Sequence, residues 1–462
     1  MSAPEQTDLG RQVLALAVFI VGLWTQSPGA YPGVSDDGLY LVVAKAVARG
    51  QGLLFIHQPD APPAAFMPPL FPVIAGVIGF VFPDFPANLL LVQILNAALL
   101  AGAAWFAAGL ARALQVSPAT RYAAVALGFL NVAVLSTGVR VVPEPLLVFW
   151  WFAGFAAVRA VERNPRWAVV TGAIGAAAVL TAPIGLAVLV GVTAGLYLRG
   201  HRRSAGVASG VAALLLAPWL VWSLMVVRTF TVSASIAAAR AEVAASWADV
   251  TRFADPDGGA FAAVVTGIVA VAAVLGMRRA WLAAPEWIIT LFVHLWFVPI
   301  MSATHRAVWL VFPSIVLLAA VGIRWVLDAH PRRRSLIAAA TALVVVVTVV
   351  RNGAALVEHR FIPDRSAVVE ELSRLFIAGV GSETAARAVV ATDADALLHL
   401  HTERTTVPLI RPGESRTNYC ALGADYIAVS GLRTVDEAAI PPTAERVFAL
   451  ASGPALYRLV CD

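Results

Sequence analysis

Charge is scarce in this chain of 462 residues, of which only 13% are Asp, Glu, Lys or Arg and 60% are apolar. Lys45 is the only lysine. A soluble globular domain usually has about 25% charged residues, so this balance excludes an ordinary soluble protein. The repeated apolar runs of about 17–25 residues instead indicate an integral membrane protein with helical spans.

Several motifs of nucleotide and metal sites are also missing. The chain has no P-loop, no Gly-x-Gly-x-x-Gly fingerprint, no Cys-x-x-Cys and no His-Glu-x-x-His. The sequence therefore gives no sign of a nucleotide, dinucleotide or zinc site of these types. The formal net charge of +5 comes mainly from arginines in short loops. Such arginines set the orientation of a membrane protein, and we do not expect nucleic acid as a partner.

About eleven apolar segments are predicted to cross the membrane. They are residues 11–27, 88–111, 119–137, 143–160, 166–181, 183–199, 205–227, 259–277, 281–301, 307–326 and 334–351. Residues 68–83 are also apolar, but this stretch is short and bounded by prolines. It is therefore predicted to form an interfacial or re-entrant helix that does not cross.

Arginine-rich loops predict the orientation. Eleven spans place all five basic loops on the side of the N-terminus, which is the pattern of cytoplasmic loops. The first long loop, residues 28–87, and the tail from about residue 353 then face outside. The chain is thus predicted to be a multi-pass protein of the cell membrane with a cytoplasmic N-terminus.

The tail has a different composition and predicts a second domain. We therefore divide the chain into a transmembrane domain, residues 1–352, and an extracytoplasmic domain, residues 353–462. Residues 364–376 have the pattern of an amphipathic helix, and residues 388–392, 404–410, 425–430 and 446–451 resemble strands. This predicts a small α/β domain. Both cysteines, Cys420 and Cys461, lie in it; a disulfide between them and two free thiols are both compatible with the sequence.

Two adjacent acids follow the first apolar segment, in the stretch SDDGLYLVVAKAVARGQG at residues 35–52. Asp36 and Asp37 fall in the first turn of a predicted helix, where the helix dipole favours negative charge. Tyr40 lies over the same face, three to four residues later. A cap on an interfacial helix is one interpretation of these residues, and a functional carboxylate site is the other.

The pattern Asp-Asp-Gly-x-Tyr, followed by Gly-x-Gly, resembles the first extracytoplasmic loop of the GT-C glycosyltransferases. These are multi-span enzymes that use polyprenyl-phosphate sugars, and they include protein O-mannosyltransferases and aminoarabinose transferases. The family motif is usually Asp-Glu-x-x-Tyr, with the first acid as the base. The resemblance therefore gives Asp36 the role of general base and places Asp37 where the family has Glu.

Further segments resemble the same family. Residues 67–83 are similar to its interfacial Pro-Pro-Leu helix, and Glu144 lies where the family has a second acidic site. Arg306 and Pro313 match an Arg-Tyr-x-x-x-x-x-Pro segment. At residues 180–185 the sequence LTAPIG has Ala and Ile where the family pattern has Arg and Glu.

The resemblance implies that a sugar moves from a polyprenyl-phosphate carrier to an extracytoplasmic acceptor in a single inverting displacement. A carboxylate can activate the acceptor hydroxyl, and the leaving phosphate needs stabilisation of its charge. The predicted catalytic residues are Asp36, Asp37 and Glu144. The predicted substrate contacts are Tyr40, Lys45, Arg140, His305 and Arg306, of which Arg306 and Lys45 are the main candidates for the phosphate.

No motif demands a cofactor, although three carboxylates, Asp36, Asp37 and Glu144, also suit a divalent metal. The predicted partners are the lipid-linked donor, a lipid, glycan or protein acceptor, and the bilayer. A lipid or glycolipid transporter or flippase is an alternative, but the internal repeats expected of a transporter are not visible. A non-catalytic envelope assembly protein is a further alternative. The sequence does not specify the sugar, the acceptor or the length of the lipid.

Overall fold

A computed structural model describes residues 9–26, 36–226, 260–297, 306–359, 366–380, 388–409, 419–420, 422–430, 440–441, 444–449 and 454–460. The chain forms two compact units. The first unit comprises Met1–Gln26, Gln93–Val139 and Pro143–Arg360, and the second comprises Ser27–Val92, Arg140–Val142 and Phe361–Asp462.

Helices dominate the described residues. In chain order they are α1 (Leu9–Trp24), α2 (Asp36–Ala48), α3 (Leu70–Val81), α4 (Leu89–Ala113), α5 (Pro118–Phe129), α6 (Val132–Val139), α7 (Glu144–Arg163), α8 (Trp167–Thr181), α9 (Leu186–Leu198), α10 (Arg202–Val226), α11 (Ala260–Ala283), α12 (Pro285–Phe297), α13 (Arg306–Ala329), α14 (Arg334–His359), α15 (Ser366–Val380) and α16 (Asp395–Thr402).

The described residues hold six helices that are long and apolar enough to cross a membrane, or seven if α5 and α6, which are bent by 52°, form one span. The predicted fold class, a polytopic α-helical membrane protein, is confirmed. Each of the eleven predicted spans contains a helix, but α1, α8, α9 and α12 have only 13 to 16 described residues.

The short helix α3 occupies the apolar stretch that was predicted not to cross. It has 12 residues, so it rises about 18 Å. The hydrocarbon core of a bilayer is about 30 Å thick. The helix is therefore too short to span it.

Buried amide side chains connect helices of the first unit. Gln93 Nε2 donates to the carbonyl of Val139 at 2.9 Å, and Asn131 Nδ2 donates to Asn352 Oδ1 at 3.0 Å. Such contacts satisfy polar groups that would be costly to bury without a partner.

One ion-pair cluster joins three helices of the first unit. Arg199 follows α9 and contacts both oxygens of Glu286 on α12 at 3.1 Å. It also donates to Glu162 on α7 at 2.7 Å and to the carbonyl of Ala283 at 2.7 Å. Glu286 is fully buried, and a buried carboxylate is tolerated only when it is paired and hydrogen-bonded.

The C-terminal region contains a five-stranded mixed sheet. Its strands are β1 (Val390–Thr392), β2 (Thr406–Pro408), β3 (Tyr426–Val429), β4 (Glu445–Ala449) and β5 (Ala455–Arg458), in the spatial order β2-β1-β3-β5-β4. β1 pairs in parallel with β2 and β3, and β5 pairs antiparallel with β3 and β4. The predicted small α/β domain is thus confirmed.

Apolar side chains attach α15 to one face of this sheet. Leu372 and Phe376 of α15 are buried in a cluster with Val390, Tyr426 and Leu456. The sequence predicted this helix and the first four strands, but it missed α16 and β5. Cys420 is disulfide-bonded; Cys461, the only other cysteine, lies outside the described residues.

The first long loop belongs to the same unit as the sheet. The backbone N–H of Thr406 on β2 donates to the carbonyl of His57 at 2.6 Å. His57 is fully buried, and its Nε2 lies 3.6 Å from Asp395 Oδ2 at the start of α16. The sequence had divided the chain near residue 352, whereas these contacts unite the first loop with the tail.

Candidate active site

Helix α2, which carries the acidic pair, is held closely by α3 and α16. A Cβ added at Gly76 of α3 would lie 2.9 Å from the carbonyl oxygen of Ala44, and one added at Gly38 of α2 would lie 2.8 Å from Cβ of Ala396. Both distances are too short for a side chain, so both approaches require glycine. Leu41 and Val42 are buried as well. The helix is therefore fixed on several sides.

Asp37 is engaged in a buried ion pair. Arg140 Nη2 donates to its Oδ1 at 2.8 Å and Arg140 Nε to its Oδ2 at 3.3 Å. The backbone N–H of Val141 adds a contact to Oδ2 at 3.4 Å. The side chain of Asp37 is only 1% exposed. This two-point pairing of guanidinium and carboxylate neutralises Asp37 and fixes its orientation.

Asp36 is the first residue of α2. Its side chain lies outside the described part of the structure. Its neighbour Asp37 uses both carboxylate oxygens on Arg140 and Val141. Asp37, one of the two acids predicted as catalytic, therefore has a structural partner.

Tyr40 lies one turn after the acidic pair and packs on α3. Its ring makes an edge-to-face contact with Phe71, with ring centroids 5.4 Å apart. Tyr40 also borders a small apolar cluster that includes Val43 and Met67. This packing holds the ring on the same helix as the acids.

Lys45 shares a carboxylate with Arg49 near the end of α2. Lys45 Nζ lies 2.5 Å from Glu403 Oε1, and Arg49 Nη2 lies 3.0 Å from both oxygens of Glu403. Glu403 follows α16 directly. Lys45, predicted as a phosphate contact, is thus already paired, and Arg49 is a second cation beside it.

Burial and charge act against each other in this cluster. Burial lowers the pKa of Lys45, and the charge of Arg49 lowers it further, while the hydrogen bond and charge of Glu403 oppose the change. Burial would raise the pKa of Glu403, but the hydrogen bonds and charges of Lys45 and Arg49 outweigh it and lower the pKa. The carboxylate therefore stays ionised, and it helps to keep the lysine charged.

A neutral histidine lies beside this cluster. Burial lowers the pKa of His399 on α16 to about 4, and the charge of Lys45 acts in the same direction. His399 Nδ1 lies 2.7 Å from the carbonyl oxygen of Arg404. Because a carbonyl can only accept, Nδ1 carries the hydrogen. The His57 ring centroid is 6.2 Å away.

Two other predicted site residues begin helices of the first unit. Glu144 is the first residue of α7 and is half-buried between Pro143 and Pro145. Proline fits the first turn of a helix because it needs no N–H partner there. Arg306 is the first residue of α13; its side chain and all of His305 lie outside the described residues.

Clusters of three or more His, Cys, Asp or Glu side chains that could hold a metal ion are absent from the described residues. The metal site suggested by the sequence includes Asp36, whose side chain is not among them.

Arg49 and Glu403 were missed by the sequence analysis. Glu403 lies 354 residues from Arg49 in the chain, and nothing in its local sequence signals a partner on α2. Arg49 looked like an ordinary basic residue at the end of a helix. Only the folded structure brings the two together.

Comparisons with known proteins were informative at the level of structure. No protein-family model matches the sequence, and no curated protein is significantly similar to it. ArnT from Cupriavidus metallidurans bound to undecaprenyl phosphate has a similar structure, with a TM-score of 0.59 and 14% identity over 98% of each chain. Its apo form matches with a TM-score of 0.58 and 16% identity over 97% of this chain and 98% of that one.

An archaeal protein is similar as well. The oligosaccharyltransferase AglB from Archaeoglobus fulgidus, in complex with an inhibitory peptide and a dolichol-phosphate, has a TM-score of 0.57 and 10% identity. The match covers 91% of this chain and 69% of that one. ArnT and AglB are both GT-C glycosyltransferases.

This chain has the GT-C fold. The prediction made from the acidic motif and the segments around it is confirmed at the level of fold. At identities of 10–16% the likeness does not extend to the chemistry, the sugar or the acceptor.

Proposed function

We propose that this GT-C protein is a membrane glycosyltransferase that moves a sugar from a polyprenyl-phosphate carrier to an acceptor outside the cytoplasm. The observation that carries the proposal is the acidic pair at the start of α2, in a fold shared with two glycosyltransferase structures that contain a polyprenyl phosphate. Asp37 is neutralised by Arg140. Asp36 is the remaining acid of the pair, and we assign it the role of general base.

The reaction has a simple balance of bonds. The Asp36 carboxylate accepts the proton of an acceptor hydroxyl, and the hydroxyl oxygen forms a bond to the anomeric carbon of the sugar. The bond between that carbon and the phosphate oxygen breaks, and the polyprenyl phosphate leaves with the electron pair. One displacement inverts the configuration. Glu144 is a further carboxylate for the sugar or the acceptor.

Cations are needed where the phosphate leaves. Lys45 and Arg306 are our candidates, together with His305. Lys45 has Arg49 beside it, and the two share the single carboxylate of Glu403, which leaves one positive charge in excess. We assign Arg140 to holding Asp37 rather than to the phosphate, and Tyr40 to the substrate side of α2.

We propose that the acidic helix and the C-terminal sheet lie outside the cytoplasm. The support is the distribution of arginine-rich loops, which are cytoplasmic in most membrane proteins. On that side a donor sugar has to arrive on a lipid carrier, which agrees with the polyprenyl-phosphate donor of the proposal.

The test is transfer by the purified protein in proteoliposomes. We would supply a panel of radiolabelled polyprenyl-phosphate sugars and a crude envelope extract as acceptor. The wild type is compared with Asp36→Asn, which keeps the shape and removes the base. Asp60→Asn is the matched control, because Asp60 is exposed on the same loop and has a φ of 58° that asparagine tolerates.

We expect label transfer by the wild type and by Asp60→Asn, and a loss of about a hundredfold or more in Asp36→Asn. Transfer that survives in Asp36→Asn would remove the assignment of the base. If labelled lipid crosses the bilayer and no label reaches an acceptor, a flippase replaces the enzyme. If neither occurs with any donor, the non-catalytic alternative is favoured.

A further inference from the structure

We propose that Glu403 is a positioning residue, which ties the end of α2 to α16 and so fixes the helix that begins with Asp36. Nothing in the acidic motif or in the comparisons assigns a role to Glu403. The inference rests on the proposed function, because the position of α2 matters for catalysis only if α2 carries the base.

The contacts of Glu403 form a bridge. One carboxylate binds two cations that are one helical turn apart, Lys45 and Arg49. The side chain of Lys45 is only 19% exposed, whereas that of Glu403 is 53% exposed, so the lysine is the more buried partner of the pair. A partly buried charge needs such a partner, and removing the partner costs more than removing a surface pair.

The backbone of Glu403 supports a specific role. Glu403 follows the last residue of α16 in the left-handed conformation, with φ 59° and ψ 17°. Glycine is the usual residue at this position of a helix end, because a residue with a Cβ is strained in the left-handed conformation. Glutamate is thus found where the backbone favours glycine. The pairing with Lys45 and Arg49 offsets that strain.

The other end of α2 meets the same helix. Gly38 lies against Ala396, and Lys45 pairs with Glu403. Seven residues separate the two contacts on each helix, so α2 and α16 run side by side in the same direction for about 10 Å. Glu403 therefore closes one end of a contact that begins beside the acidic pair.

The single lysine of the chain provides a direct test. Lys45 is the only side chain that carries a primary amine, so its rate of acetylation by a water-soluble acetylating reagent can be followed by peptide mass spectrometry. Only the neutral amine reacts. Glu403→Gln removes an interaction that raises the pKa of Lys45, whereas Arg49→Gln removes one that lowers it.

We expect the acetylation rate at fixed pH to rise several-fold in Glu403→Gln and to fall in Arg49→Gln. Glu371→Gln is the matched control, because it removes a carboxylate that pairs with Arg374 on the exposed face of α15, and it should leave the rate unchanged. Unfolding would change the surroundings of Lys45 in the same way in both variants, so the opposite signs separate the bridge from a loss of structure. An unchanged rate in Glu403→Gln, or a rise in all three variants, overturns the bridge.

The link to catalysis is tested in the same full-length proteins. Misplacement of a catalytic group by about 1 Å can cost about a hundredfold in rate. We expect the maximal transfer rate to fall about tenfold or more in Glu403→Gln and to stay unchanged in Glu371→Gln. Altered acetylation with unchanged transfer would overturn the positioning role. If the wild type transfers nothing, the proposed function fails, and the acetylation rates still decide whether the bridge exists.

Discussion

The two ends of α2 carry different sets of charged residues. At the start, Asp37 pairs with Arg140, and Asp36 precedes Asp37 in the first turn. At the end, two cations, Lys45 and Arg49, share one carboxylate, Glu403. One helix therefore carries a pair of acids at one end and, at the other, two cations that share one carboxylate.

Polyprenyl-phosphate chemistry needs these same two features. A carboxylate takes the proton from the acceptor, and a cation stabilises the leaving phosphate. The ion-pair cluster of the first unit is different, because Arg199 faces two carboxylates, Glu162 and Glu286, and also a backbone carbonyl. Its groups hold helices together and leave no cation in excess. We therefore interpret the Arg199 cluster as a structural contact, and the cluster of Lys45, Arg49 and Glu403, which has one cation more than it has carboxylates, as part of the candidate site.

The largest expected effect comes from breaking the pair at the start of α2. Arg140→Gln leaves the buried carboxylate of Asp37 without its cation, and we expect the free energy of unfolding to fall by about 3–5 kcal/mol. Chemical denaturation of the detergent-solubilised protein measures this change.

The controls for this variant follow from the same pair. Arg374→Gln breaks an exposed pair with Glu371 and should cost no more than about 1 kcal/mol. The double variant Asp37→Asn/Arg140→Gln removes both charges and should recover much of the loss. A single variant as stable as the wild type would contradict the assigned role of Arg140.

The next effect is a pH dependence of the free energy of unfolding, which arises from His399 beside Lys45 and Glu403 at the end of α2. His399 is neutral in the fold, because burial lowers its pKa to about 4, and Lys45, Glu403 and His57 are the charged or titratable groups around it. In the unfolded chain it takes up a proton near pH 6.5. Its contribution to stability is therefore full above that pH and is lost as the pH falls from about 6.5 to about 4.

The loss should be on the order of 3 kcal/mol, and it is measured by denaturation at several pH values. His399→Gln should remove this part of the pH dependence. His330→Gln, at an exposed position outside the sheet region, is the control. Identical pH profiles for the wild type and His399→Gln would show that His399 is not the group responsible.

Sequence reasoning identified the fold from local patterns. Apolar runs predicted the helices, short runs with strand-like composition predicted β1 to β4, and the prolines around residues 68–83 predicted a helix that does not cross. It missed α16, because eight residues with two histidines, Asp395–Thr402, give no clear apolar stripe.

The sequence predicted which residues belong to the candidate site, but it did not predict which of them form ion pairs. Asp37 and Arg140 were assigned separately, one to catalysis and one to the phosphate, and the structure joins them. The partner of Lys45 lies 358 positions further along the chain, and no local pattern reports a contact of that kind. Residue types in the sequence therefore indicate which reactions the side chains could perform. The folded structure shows which charged side chains are already neutralised by an ion-pair partner.

The central claim is that the two ends of α2 have separate roles in transfer. The most direct test of it is to measure how the rate of sugar transfer depends on donor concentration. Wild type, Asp36→Asn and Lys45→Gln are compared in proteoliposomes with the active donor. The account predicts that Asp36→Asn loses about a hundredfold or more of the maximal rate at a nearly unchanged half-saturating donor concentration. Lys45→Gln should mainly raise that concentration, by about tenfold. Equal effects of both variants on the same parameter, or a maximal rate retained in Asp36→Asn, would contradict it.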